Sequence, residues 1–232
     1  MAIDGDKPRS GLLGRAVISA GGFLVLFGVV MFLPAGIGWG RGWLFLLVFV
    51  ALGVLSSAYL WRANPEIFVA RSKVHRGTKS WDKLLLVLIL GSFFAVFVVA
   101  GFDARYGWSA VPLWLIAVGY ALFALGFAMS TWVYSVNKFA EPSVRIQTDR
   151  GQKVVDTGPY AIVRHPLYTS AGVLVAGMPL ALGSFWALIP VGFGAVILIV
   201  RTVLEDRMLQ NELEGYKDYA GRVRYRLLPG VW

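Results

Sequence analysis

Five stretches of this chain hold no Asp, Glu, Lys or Arg: 16–40, 42–61, 84–102, 106–137 and 165–200, of 25, 20, 19, 32 and 36 residues. No other feature limits the fold as strongly. A helix rises about 1.5 Å per residue, so about 20 mainly apolar residues cross a bilayer core of roughly 30 Å. Each of the first four stretches predicts one membrane span. The fifth is too long for one helix and is interrupted by Met178-Pro179 and Gly183-Ser184. It predicts a tight helical hairpin over 167–182 and 185–203. The first stretch is too long for the apolar part of a secretory signal and no clear small-residue cleavage site follows it, so it is read as a span.

Charge placement tests this count. Nearly all Lys and Arg fall in 1–15, 62–83, 138–164 and 201–232. The turns between hold Arg41, Arg105 balanced by Asp103, and nothing charged at 183–184. The positive-inside rule then places both termini and both basic loops in the cytoplasm. The predicted fold is all-α: a polytopic integral membrane bundle of about six spans, with a C-terminal helical hairpin and a cytoplasmic amphipathic helix. Residues 1–136 form spans one to four and 137–232 hold the unusual chemistry. Gly21, Gly22, Gly28, Gly53, Gly119, Gly126, Gly172 and Gly177 lie in the spans and are read as sites of close helix packing.

Composition excludes several classes. The chain is 57% hydrophobic and 15% charged, against about 45–50% and about 25% in soluble domains. That excludes a disordered chain, a collagen and an ordinary cytosolic enzyme. With no cysteine, disulfides, thiolate catalysis and Cys-ligated metal centres are excluded. Two histidines, His75 and His165, are too few for a multi-His metal site, so no metal is expected; His75 reads as a surface residue. The net charge of +9 sits beside apolar runs, which fits membrane lipid headgroups rather than nucleic acid.

Three clusters carry chemistry. The first is Gly158-Pro159-Tyr160 followed by Arg164-His165-Pro166-Leu167-Tyr168. Pro166 suits the first turn of a helix, which sets His165 at a helix mouth where free N–H groups favour an anion. Tyr160 and Tyr168 can offer ring faces to a cation. The plain alternative is a capping histidine within an interfacial aromatic belt. The second cluster is Glu205-Asp206 between Arg201 and Arg207 at the exit of the last span. Arg201 and Glu205 are spaced to pair along a helix, or Glu205 faces back to accept hydrogen bonds from a polar ligand. The third is Tyr216-x-x-Tyr219 followed by Arg222, Arg224 and Arg226. It reads as a headgroup-level helix, or as one supplying an arginine fork to a carboxylate.

In this order and spacing the clusters resemble the isoprenylcysteine carboxyl methyltransferase family, in a superfamily shared with phospholipid methyltransferases. Asn137-Lys-Phe139 and Val144-Arg-Ile-Gln147 are similar to its bacterial branch. The resemblance covers roughly 137–229. It implies S-adenosylmethionine as methyl donor, held by Gly158, Pro159, Tyr160, His165, Tyr168, Glu205 and Tyr219. It implies Arg222 and Glu205 as catalytic groups, with Arg222 orienting the carboxyl to be methylated. It implies a lipophilic or lipid-modified acceptor arriving from the bilayer, and a bacterial inner-membrane location. Asp206 departs from the second Glu common in the family, which predicts a shifted or lost contact there. Three other readings stay open: methylation of a phospholipid amine, an NADPH-using reductase of the sterol-reductase type, and a non-catalytic membrane assembly protein.

Overall fold

The computed structural model describes residues 7–71 and 77–232, with side chains over 21–71 and 77–232; His75 lies outside them. Among the described residues eight α-helices follow in order: α1 (Lys7–Ala35), α2 (Gly40–Ala63), α3 (Glu66–Ala70), α4 (Ser80–Tyr106), α5 (Leu113–Val136), α6 (Pro166–Leu182), α7 (Leu188–Glu212) and α8 (Tyr216–Arg222). Short 3-10 turns stand at Thr148–Arg150 and Gly158–Ala161, and the described residues contain no strand. α2, α4, α5 and α7 are long and apolar enough to cross a membrane. The Gly21–Ala35 part of α1 and all of α6 are shorter apolar helices. The chain is thus a polytopic helical membrane protein. Its outward side chains are themselves apolar (Leu113 is 80% exposed and Leu33 77%), as expected where the surrounding solvent is lipid.

Two boundaries differ from the sequence reading. The charge-free run 106–137 contains a loop before α5: Gly107 ends α4 in the left-handed region at φ 67° and Pro112 precedes the first turn of α5. Absence of charge marks what can enter a bilayer, not where a helix starts. The second hairpin arm begins at Leu188 and runs on to Glu212, beyond the expected 203. Residues 204–212 contain no Gly or Pro and several strong helix formers, so nothing local stops the helix there. Glu205 and Asp206 are therefore carried on a continuous helix.

The apolar core is an aromatic cluster across α1, α2, α4 and α5. Phe27 meets Phe97 edge-on at 4.5 Å, and Phe45 lies 4.8 Å from Phe123. The closest helix pair is α5 with α6, and glycine makes it possible. A Cβ on Gly119 would stand 2.3 Å from the Ala181 backbone N, on Gly126 2.5 Å from Leu174 Cα, and on Gly177 2.6 Å from the Gly119 carbonyl. Gly21, Gly22, Gly28, Gly53 and Gly172 face open space, so the close-packing expectation holds for three of the eight glycines and not for these five.

Contacts sort the loops into two ends. At one end Asn64 donates to the Tyr134 carbonyl at 2.6 Å and Lys79 pairs with Glu212 at 2.8 Å. At the other, the buried Asp103 accepts from the Ser109 hydroxyl at 2.6 Å and from Ser184 on the α6–α7 turn at 2.5 Å. The first end collects the basic loops, matching the alternation read from charge.

Candidate active site

At the charged end a cavity of about 110 Å³ opens between the 137–155 segment, the N-terminus of α6, α7 and α8. Two buried carboxylates organise its walls. The first is Asp82, fully buried in the first turn of α4. It accepts from Arg201 Nε at 2.7 Å and from the Val144 N–H at 2.7 Å. Arg201 also donates to the Pro142 carbonyl at 2.7 Å. One ion pair between α4 and α7 thereby pins the 137–155 segment on either side of Ser143. Arg201 does not pair with Glu205 along the helix; its guanidinium lies 5.3 Å over the Tyr168 ring instead.

The second carboxylate is Asp206, also fully buried. Arg164 grips it through two nitrogens, at 2.8 and 3.0 Å. His165 Nε2 lies at 3.2 Å, the Tyr216 hydroxyl at 3.1 Å, Gln210 at 2.9 Å and Arg226 Nε at 3.0 Å. A carboxylate offers about four lone-pair sites, so these donors occupy every approach to it. The backbone joins the same knot: the Arg164 and His165 N–H groups donate to the Tyr225 and Arg226 carbonyls, each at 2.9 Å. Asp206 is not among the residues lining the cavity; it ties the first, second and third sequence clusters together from behind it.

Glu205, one residue earlier and about 100° around the helix, lines the cavity and accepts from the Tyr168 hydroxyl. His165 and Tyr168 stack in parallel with centroids 5.7 Å apart. Tyr219 donates its hydroxyl to the Tyr160 carbonyl at 2.7 Å, and Asn137 donates to the Tyr160 hydroxyl at 2.6 Å. Tyr216 and Tyr219 meet edge-on at 5.4 Å and pack under Val144, Met208 and Leu209. α8 therefore turns its tyrosines inward rather than to the headgroups. Burial pushes the phenols of Tyr160, Tyr216 and Tyr219 above the ordinary tyrosine range, so all three are neutral hydrogen-bonding groups at neutral pH.

Of the eight donor-holding and catalytic residues that the resemblance implies, Tyr160, His165, Tyr168, Glu205 and Tyr219 line this cavity together. Gly158 and Pro159, which precede Tyr160 in the same 3-10 turn, are not among the lining residues. Gly158 has φ 57°, and a Cβ there would reach Trp132 at 3.5 Å. Arg222 is not brought into the cavity. It lies at the surface, its side chain 68% exposed, bonded to Asp156 at 3.0 Å. The wall also contains residues given no role in the sequence reading. Arg145 is clamped by Glu141 at 2.8 Å and Asp149 at 2.6 Å, and these acids, Glu141 foremost, raise its pKa above the ordinary arginine value. Ser143 is buried with no hydrogen-bond partner for its hydroxyl among the described residues. The Glu141–Arg145 spacing was visible in the sequence, but nothing marked it as cavity wall.

Residues 114–214 match the family described as phospholipid methyltransferase. No curated protein matches the chain. The matched stretch is under half of the chain, yet it spans α5, α6, α7 and the segment between that builds most of the cavity. It leaves out α8 with Tyr216, Tyr219 and Arg222. That family lies in the superfamily that includes isoprenylcysteine carboxyl methyltransferases. Over the segment that forms its cavity, the chain is similar to a family of membrane methyltransferases.

Proposed function

We propose that this chain is an integral-membrane, S-adenosylmethionine-dependent methyltransferase. In this reading it O-methylates the carboxylate of a lipophilic, isoprenylcysteine-like acceptor, at a cavity facing the cytoplasm, with 137–232 as its catalytic region. One observation carries the reading: five of the expected site residues, drawn from three separated sequence clusters, meet around a single cavity at the charged end of the bundle. The lining suits a cationic donor. Tyr160, Tyr219 and the carboxylate-bearing Glu205 line the space, and aromatic rings attract cations most where water is scarce. When bound there, S-adenosylmethionine supplies a methyl group from its sulfonium. The acceptor carboxylate is ionised at neutral pH and needs no general base. The chain's work is then alignment and exclusion of water. Arg222 takes the acceptor carboxylate at the rim, three residues from Tyr219, exchanging the Asp156 carboxylate for that of the acceptor.

The family match favours a second reading, methylation of a phospholipid amine. An ammonium must first lose a proton, and Glu205, whose carboxylate faces the cavity, is the group placed to accept it.

The test uses membranes containing the protein or its Arg222→Ala variant, methyl-labelled S-adenosylmethionine, and either a thiol-linked isoprenoid acid or phosphatidylethanolamine. Label released as methanol by mild base, and lost with Arg222→Ala while donor binding persists, supports the carboxyl reading. Base-stable label in lipid supports the amine reading. Failure of the wild-type protein to bind the donor sinks both.

A further inference from the structure

The proton on His165 is assigned by its neighbours. Its Nε2 faces Asp206 Oδ1 at 3.2 Å. Held between Arg164 and Arg226, that carboxylate only accepts, so Nε2 must carry the hydrogen. In the neutral ring Nδ1 is then a bare acceptor. Among the described residues no donor reaches Nδ1, and the side-chain atoms buried without a partner are Tyr120 Oη and Ser143 Oγ alone. Nδ1 is therefore not sealed within the protein, and His165 lines the cavity. The stack on Tyr168 and the Nε2 contact with Asp206 fix the ring plane. The cavity thus meets one oriented nitrogen lone pair beside the carboxylate of Glu205.

We propose that Asp206 is a positioning residue: it holds His165 as the Nε2–H tautomer so that Nδ1 accepts an N–H of the bound methyl donor. This rests on the methyltransferase reading. It gives the two neighbouring acids different tasks. Glu205 faces the ligand, and Asp206, saturated by protein donors, acts only through His165. The donor offers two kinds of N–H, its ammonium and its adenine amino group. Either completes the bond.

Because the chain has two histidines, ¹⁵N-histidine labelling in lipid nanodiscs gives a readable spectrum, with His165 assigned by its loss in His165→Gln. At pH 8 the expected His165 pattern is a protonated Nε2 facing Asp206 and an unprotonated Nδ1. The groups facing the ring are Asp206, Arg164, Arg226, Tyr168, Tyr216 and Glu205. Adding S-adenosylhomocysteine shifts the Nδ1 signal upfield as it accepts a hydrogen bond. The same shift with 5′-methylthioadenosine assigns the bond to the adenine amino group, and its loss there assigns it to the ammonium. His165→Leu, which has no acceptor in its side chain, binds S-adenosylhomocysteine about ten- to a hundredfold more weakly. Asp206→Asn, which can turn an N–H toward the ring, populates the other tautomer and weakens binding, whereas Asp206→Glu keeps Nε2–H. If Asp206→Asn does not fold, the wild-type spectrum decides. An Nδ1–H tautomer, or an Nδ1 signal unmoved while the ligand is bound, overturns the proposal and leaves the methyltransferase reading standing. A wild-type protein that binds no donor overturns both.

Discussion

Asp82→Ala removes the buried partner of Arg201 and of the Val144 N–H together. Asp82 is fully buried, 2.7 Å from each of them. Taking one member from a buried ion pair costs about 3–5 kcal/mol, because the remaining charge stays desolvated without compensation. At about 2–4 °C per kcal/mol for a chain of this size, thermal unfolding in detergent moves down by roughly 6–20 °C. Arg201→Leu alone strands Asp82 and costs a comparable amount. The double variant removes both charges and leaves mainly the lost bonds to Pro142 and Val144, so it recovers most of the stability. Because the double variant costs no more than either single one, the expected coupling in the double-mutant cycle is at least about 3 kcal/mol. Donor affinity falls in both single variants, because the 137–155 segment loses the anchor that sets its place in the cavity wall. Melting followed by tryptophan emission, alongside ligand titration, reads both effects. A loss below about 1 kcal/mol for Asp82→Ala, or single effects that simply add, refutes the assignment of this pair as the anchor.

Three other outcomes follow from the same geometry. Gly126→Ala forces Leu174 away from a Cβ that would stand at 2.5 Å, so it destabilises the α5–α6 pair by about 1–3 kcal/mol; Gly53→Ala, with open space, melts within about 0.5 kcal/mol of the parent, and melting of both variants checks the contrast. Gly158→Ala adds about 1–2 kcal/mol of left-handed backbone strain at φ 57°, displacing Tyr160 and lowering donor affinity, as ligand titration will read. Burial holds the Tyr160, Tyr216 and Tyr219 phenols above the ordinary tyrosine range, so above about pH 10 the unfolded chain sheds protons that the folded one keeps. Stability therefore falls as pH rises past that point, and Tyr219→Phe reduces the slope of melting temperature against pH.

The amino-acid order alone determines the class of fold. Charge-free runs separated by basic loops leave few options but a helical membrane bundle, because a bilayer core accepts only backbones that satisfy their own hydrogen bonds. Gly183 marks where the last charge-free run turns, through local preferences that act over one or two residues, whereas the loop between Gly107 and Pro112 lies inside a run read as one span. The three clusters were also legible, since His165, Tyr168, Glu205 and the two α8 tyrosines stand out by type and spacing. What tertiary structure decided is which way each of them points. Glu205 and Asp206 are adjacent in sequence, yet α7 directs one into the cavity and the other into a knot of arginines. Arg222 and Arg226 belong to one basic run, yet the first reaches the surface and Asp156 while the second closes on Asp206. Asp82 lies in the basic stretch 62–83, and only the packing of α4 against α7 makes it the anchor of the cavity wall. A hydrogen bond between residues 119 positions apart, as between Asp82 and Arg201, leaves no periodic trace in the chain. Local chemistry selects helix ends and spans, but the pairing of buried charges is settled by which helix faces come together, and that depends on the whole bundle.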